Sequence, residues 1–169
     1  CKRWPDINQE AKQLELEDWK KVLADARKLG CTKLDFIGGE PFLSDKDLMQ
    51  LVRFAKDVGY EEIKIFTNGT LINVENLKLL VEYKVLFIFQ IFSFKEKIHD
   101  KITCVEGSYN RMMTNLPKLI ENGGRFAFLL LLVKGNQDHW EESVEWFHGY
   151  GPDWVNIDIL RPCETEGGN

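Results

Sequence analysis

Lys33-Leu34-Asp35-Phe36-Ile37-Gly38-Gly39-Glu40-Pro41-Phe42-Leu43-Ser44 sets a short strand, a glycine turn and the approach to a helix in direct succession. Residues 33–37 make a short run of strand length, and the run stops at two glycines, an acid and a proline. Glycines carry no Cβ, so the backbone here can turn sharply and come close to a ligand. Pro41 stiffens the exit from the turn. Ser44 and Asp47 then resemble a helix cap, with Leu48, Leu51, Val52, Ala55 and Val58 behind it and Gly59 as the stop. A strand, a turn and a helix in that order make the unit of α/β folds, whose chemistry sits at the carboxyl ends of strands, where Glu40 falls. Taken alone, Gly-Gly-Glu-Pro suits a plain strand-to-helix connection equally well.

The same alternation runs outward in both directions. Residues 16–29 place Leu16, Trp19, Val22, Leu23, Ala26 and Leu29 on one helical face, closed by Gly30. Residues 63–66 read as a strand ending in Thr67-Asn68-Gly69, and Asn73 caps a helix carrying Leu77, Leu80 and Val81. Residues 86–92 form a strand whose polar residue is Gln90. A long loop follows, then a helix capped by Ser108 with Met112, Leu116, Leu119 and Ile120, closed by Gly123-Gly124. Pro117 lies inside that helix, where it is expected to kink it or remove one hydrogen bond. Residues 126–133 are a strand, Asp138 opens a helix with Val144 and Phe147, and residues 155–160 are the last strand. The pattern predicts five strands and five helices in strict alternation, in one domain over residues 1–169. Near-continuous apolar strands predict a parallel sheet covered by helices, and crossovers of similar length curl such a sheet into a barrel or part of one. Phe87, Phe89, Phe92 and Phe94 read as core.

Composition removes several classes of function. The chain has 169 residues and a net charge of −5, and no basic stretch offers a phosphate-tracking surface for nucleic acid. Its longest apolar run, Phe126 to Val133, is too short to span a bilayer, so no membrane partner is expected. No signal peptide is evident. Cys1, Cys31, Cys104 and Cys163 form no close pair, which excludes zinc-knuckle spacing and points to a reducing, cytoplasmic compartment. The start at Cys1 without methionine and the polar tail Glu164 to Asn169 read as the cut ends of a longer protein.

In a parallel sheet the residues after each strand converge on one mouth. Here they are Gly38-Gly39-Glu40-Pro41, Thr67-Asn68-Gly69, Ser93, Gly135-Asn136 and Arg161-Pro162. The block at 36–43 and Ile65-Phe66-Thr67-Asn68-Gly69-Thr70 come first along the chain. Ile98-His99-Asp100-Lys101-Ile102-Thr103, Gly107-Ser108-Tyr109 and Val155-Asn156-Ile157-Asp158 follow in order. This series resembles the radical S-adenosylmethionine (radical SAM) superfamily, and within it the branch with a SPASM-type extension that matures peptides and proteins.

The resemblance implies an α/β fold, a partial (β/α) barrel with helices on its outer face, here without its first strand. It implies SAM and a 4Fe–4S cluster on a C-x3-C-x2-C loop, a 5′-deoxyadenosyl radical, and a peptide or protein substrate. Only the third cysteine of that loop has a counterpart, Cys1, which is either that ligand or a neighbour of it. One thiolate does not hold a four-iron cluster, so the chain alone is expected to lack the redox centre. The resemblance further implies that Gly38, Gly39 and Glu40, with Pro41 closing the turn, hold the SAM amino group. Glu40 stands at a strand end and is expected to be dispensable for folding.

Other positions keep two readings. Asn68 reaches SAM or pins its own turn; Ser93 contacts the ribose or carboxylate, or merely ends a strand. Arg111 pairs with the SAM carboxylate or is a solvated helix residue. Asn136 and Leu160 touch the ribose and adenine, or pack the barrel. His99 and Asp100 are read as a loop pair that fixes the loop. Cys104 falls where relatives carry glycine and is expected to be buried. The rival functions are a catalytically silent barrel that binds a peptide or partner, and a TIM-type barrel enzyme for phosphate-bearing substrates. The latter would want a late glycine-rich phosphate loop, and only Gly167-Gly168 stands there.

Overall fold

In the computed structural model the described residues are 14–159. Five strands, β1 (Lys33–Phe36), β2 (Glu62–Thr67), β3 (Leu86–Ile91), β4 (Arg125–Leu132) and β5 (Val155–Ile159), form one sheet in sequential order. Every neighbouring pair is parallel. Residues 1–13 and 160–169 lie outside the description, and with them Cys1, Leu160, Arg161, Pro162 and Cys163.

The helices are α1 (Leu16–Lys28), α2 (Asp45–Asp57), α3 (Val74–Glu82), α4 (Glu96–Thr103), α5 (Ser108–Glu121) and α6 (Trp140–His148). Alternation along each strand sends one set of side chains to the helices and the other to the opposite face. Ile63, Ile65, Phe87, Phe89, Phe126, Phe128 and Leu130 form one core with Leu23, Val52, Ala55, Leu77, Leu80, Met112, Leu116, Leu119 and Phe147 of the helices. On the other face Leu86, Ile88 and Ala127 are buried with Phe66, Leu129 and Trp154 against them. The helices therefore cover one face, as the apolar strands predict.

Four expectations need correction. The chain between β3 and α5 is not one loop: Glu96–Thr103 is a sixth helix, so strict alternation fails there. Ile98, His99 and Ile102 give it an inward side, and its charged residues hid the period. Ser108 is the first residue of α5 rather than its cap; Gly107 holds the cap position at φ 72°. Asp138 belongs to a 3-10 turn over Gln137–His139, and α6 begins at Trp140. Ser44 occupies the cap position of α2 without a capping bond from its side chain, whereas Asn73 caps α3 through Glu75 N as expected. Pro117 sits within a continuous α5. Phe87 and Phe89 are fully buried; Phe92 and Phe94 are half-buried and pack on His99 and Trp146.

Candidate functional site

The Gly-Gly turn stands open. Gly38 and Gly39 have φ of 92° and 60°, and a Cβ on either would meet nothing within 4 Å. Glycine is needed here for conformation, and the backbone is left uncovered. Pro41 opens a 3-10 turn over Pro41–Ser44 that Glu40 caps.

Glu40 does more than end a strand. Its Oε1 accepts from Phe42 N at 3.2 Å and from the Thr67 hydroxyl at 2.7 Å, and its Oε2 accepts from Asn68 N at 2.8 Å. One carboxylate thus joins the turn after β1 to the end of β2, so it braces two turns as well as standing at a strand end. All three donors are neutral, and among the described residues no lysine or arginine pairs with Glu40. A carboxylate has roughly four acceptor positions, so one remains on Oε2.

Asn68 uses its Oδ1 to accept from Thr70 N at 2.9 Å and from the Thr70 hydroxyl at 2.7 Å. Its side chain pins its own turn. Behind that turn, Asn115 of α5 donates to Gly69 O at 2.9 Å.

Ser93 and Asn136 meet at a second place, the ends of β3 and β4. Asn136 is 2% exposed; its Oδ1 accepts from Val133 N at 2.8 Å while its Nδ2 donates to Leu131 O at 2.8 Å and to Phe92 O. Every polar atom of this side chain is occupied in tying the two strand ends together. Ser93 is fully buried, and its hydroxyl accepts from Lys95 N at 3.0 Å. Lys95 Nζ continues the tie, 3.2 Å from His139 Nδ1 and 3.0 Å from Glu142 Oε2. The Lys95–His139–Glu142 clip has no local motif, because Lys95 lies 44 and 47 residues from its two partners. Arg111 is not brought to either cluster: its Nη1 donates to Glu106 O at 3.2 Å, just ahead of its own helix α5.

His99 and Asp100 lie on α4, not in a loop. Asp100 Oδ1 accepts from Ser108 Oγ at 2.8 Å and Tyr109 N at 2.9 Å, and Oδ2 from Gly107 N at 2.6 Å, so this carboxylate caps α5 from outside. Burial pushes its pKa up, but these bonds and the nearby His99 outweigh that and hold it below the ordinary value. Cys104 is exposed rather than buried, at φ 57°, a conformation that glycine adopts freely.

His99 is 4% exposed, between Phe92 and Tyr109, and its Nδ1 accepts from Phe92 N at 3.4 Å. Burial pushes its pKa down to about 4, against the opposing pull of Asp100. The folded protein keeps the ring neutral where the unfolded chain, titrating at 6.5, would protonate it. Stability from this source is whole above that pH and is lost as the pH falls toward 4. The gap corresponds to about 3 kcal/mol at most. Urea midpoints across this range should fall for the wild type and fall less for His99→Phe; parallel curves would contradict the assignment.

The match to the Radical SAM superfamily model covers residues 1–147. The chain belongs to this superfamily, whose cofactors are SAM and a 4Fe–4S cluster. It is similar to the PqqA peptide cyclase of Bradyrhizobium diazoefficiens, 34% identical over 82 residues, which is 48% of this chain and 21% of that protein. It is also similar to the Fe-coproporphyrin III synthase of Methanosarcina barkeri, 28% identical over 124 residues, 73% of this chain and 31% of that protein. The chain thus spans between a fifth and a third of these relatives. Among solved structures, Streptococcus suis SuiB bound to S-adenosylmethionine superposes with a TM-score of 0.79 at 18% identity, over 94% of this chain and 37% of that one. These likenesses establish the partial-barrel fold with its parallel sheet.

The residues present fit one family cofactor and not the other. An open glycine turn beside a carboxylate without a cationic partner suits the ammonium of SAM. No group of three or more histidine, cysteine or acidic residues is assembled among the described residues, and Cys31 and Cys104 are both free and exposed. The described residues do not hold a 4Fe–4S cluster, and Cys1 lies outside them. No membrane-crossing helix occurs among them either.

Proposed function

We propose that this chain is the core domain of a longer, cytoplasmic radical SAM enzyme of the SPASM-type branch, which modifies a peptide or protein. The observation that carries the reading is the Glu40 brace, a carboxylate with neutral donors only, next to two uncovered glycines. Gly38 and Gly39 offer backbone groups to the SAM amino group, and the remaining Oε2 position of Glu40 receives one of its hydrogens. Pro41 and Asn68 shape the two turns. Ser93 and Asn136 would act by fixing the ends of β3 and β4 beside the nucleoside. Arg111, which uses Nη1 on Glu106 O, would offer its remaining donors to the SAM carboxylate. Cys1 is assigned as one thiolate ligand, with further ligands upstream. SAM held at this turn would supply radical hydrogen-abstraction chemistry once a 4Fe–4S cluster, carried by residues outside those described, stood beside it.

The peptide substrate class is supported by the names of two similar proteins, the PqqA peptide cyclase and the SuiB that was solved with its precursor peptide SuiA. The longer protein, loaded anaerobically with iron and sulfide and reduced, should convert SAM to 5′-deoxyadenosine. Binding of SAM or peptide with no 5′-deoxyadenosine formed would select a catalytically silent barrel instead.

A further inference from the structure

We propose that Thr67 is a positioning residue whose hydroxyl fixes the Glu40 carboxylate in the setting that receives the SAM amino group; this rests on the reading of the site above. Thr67 is the last residue of β2 and is 1% exposed. Its hydroxyl has two partners with opposite roles. It accepts from Gly69 N at 3.0 Å and donates to Glu40 Oε1 at 2.7 Å. Because Gly69 N supplies a hydrogen, the hydroxyl's own proton goes to the carboxylate, and the direction of the bond is set.

Oε1 also takes Phe42 N, at 3.2 Å, and is then filled. Oε2 takes Asn68 N at 2.8 Å and keeps one position. Which oxygen retains acceptor capacity is thus decided by donors that the protein supplies, and Thr67 is the one side chain among them. The two backbone donors persist in any variant of the fold, whereas the hydroxyl does not. Asn68, the more conspicuous residue of Thr67-Asn68-Gly69, spends its side chain on Thr70.

Thr67→Val keeps the shape and the strand preference of a β-branched residue and removes only the hydroxyl. Thr67→Ser keeps the hydroxyl. In the longer protein, Thr67→Val leaves the Glu40 carboxylate to be ordered when SAM binds, which should raise the dissociation constant of SAM about two- to ten-fold. Thr67→Ser should bind as the wild type does. The probe for mere loosening of the domain is 5′-deoxy-5′-methylthioadenosine, which has the nucleoside and lacks the amino acid. Its affinity should be the same in all three proteins, because it has no group for Glu40.

Equal SAM affinity in Thr67→Val and wild type would overturn the proposal. So would equal losses for SAM and the methylthio nucleoside, or a Thr67→Val protein that no longer folds while Thr67→Ser does; either would assign the hydroxyl to structure alone. Failure of the wild type itself to bind SAM would instead remove the site reading on which the proposal rests.

Discussion

Replacing Gly69 with alanine is expected to destabilise the protein by about 2–4 kcal/mol, the sum of a left-handed backbone and an overfilled core. Gly69 has φ 73°, and a Cβ there would lie 2.6 and 2.7 Å from Phe89 ring carbons and 2.8 Å from Met112 Cγ. Phe89 and Met112 are fully buried, and the Phe89 ring is packed against Phe126 and Phe128. Neither can move aside without disturbing the centre of the core. Gly38→Ala is the control. Its φ of 92° is as unfavourable for a side chain, but nothing stands within 4 Å of the new Cβ. It should cost only the conformational part, about 1–2 kcal/mol. Urea unfolding of both variants checks the difference. Equal losses would mean that Phe89 and Met112 yield easily, and that the turn after β2 is less firmly seated than its contacts indicate.

The second large effect is expected at Glu40. Glutamine retains one acceptor oxygen and replaces the other with an amide group that donates. With its oxygen on Phe42 N and the Thr67 hydroxyl, that amide faces Asn68 N, donor to donor. Glu40→Gln should therefore lose about 0.5–1.5 kcal/mol of stability, since the Asn68 N–H is exposed and water can take the place of the lost acceptor. SAM loses both a charge and an acceptor. A hydrogen bond between charged groups is worth about 1.5–3 kcal/mol, so affinity for SAM should fall about ten-fold to a hundred-fold. Cluster content should be unchanged, since Glu40 is not a ligand. Binding titrations on cluster-matched wild type and variant check this. Unchanged affinity together with lowered stability would leave Glu40 as a brace alone.

The strands were legible because their period is simple. Phe87, Phe89, Phe126 and Phe128 face helices, Leu86, Ile88 and Ala127 face the other way, and both sets are apolar. Such continuous apolar runs mark a parallel sheet, here with helices on one face and a smaller apolar cluster on the other. Helix α4 was hidden because eight residues with four charges and a buried histidine give a weak period. The placement of Gly38, Gly39 and Glu40 followed from a local motif. What Glu40 bonds to did not, since Thr67 stands 27 residues away and only the β1–β2 pairing brings it near. For the same reason Asn136 reads in sequence as a loop amide open to a ligand, while in the fold its side chain is consumed by β3 and β4. Cys104 is exposed and has a positive φ, neither of which its neighbours in sequence announce.

A crystal structure of the longer protein, cluster intact, with SAM bound would test the Glu40 site directly. The SAM amino nitrogen should lie within hydrogen-bonding distance of Glu40 Oε2 and of a backbone carbonyl of the Gly38-Gly39 turn, with Thr67 still donating to Oε1. A methionine group bound elsewhere, with the turn unchanged and uncovered, would contradict this placement.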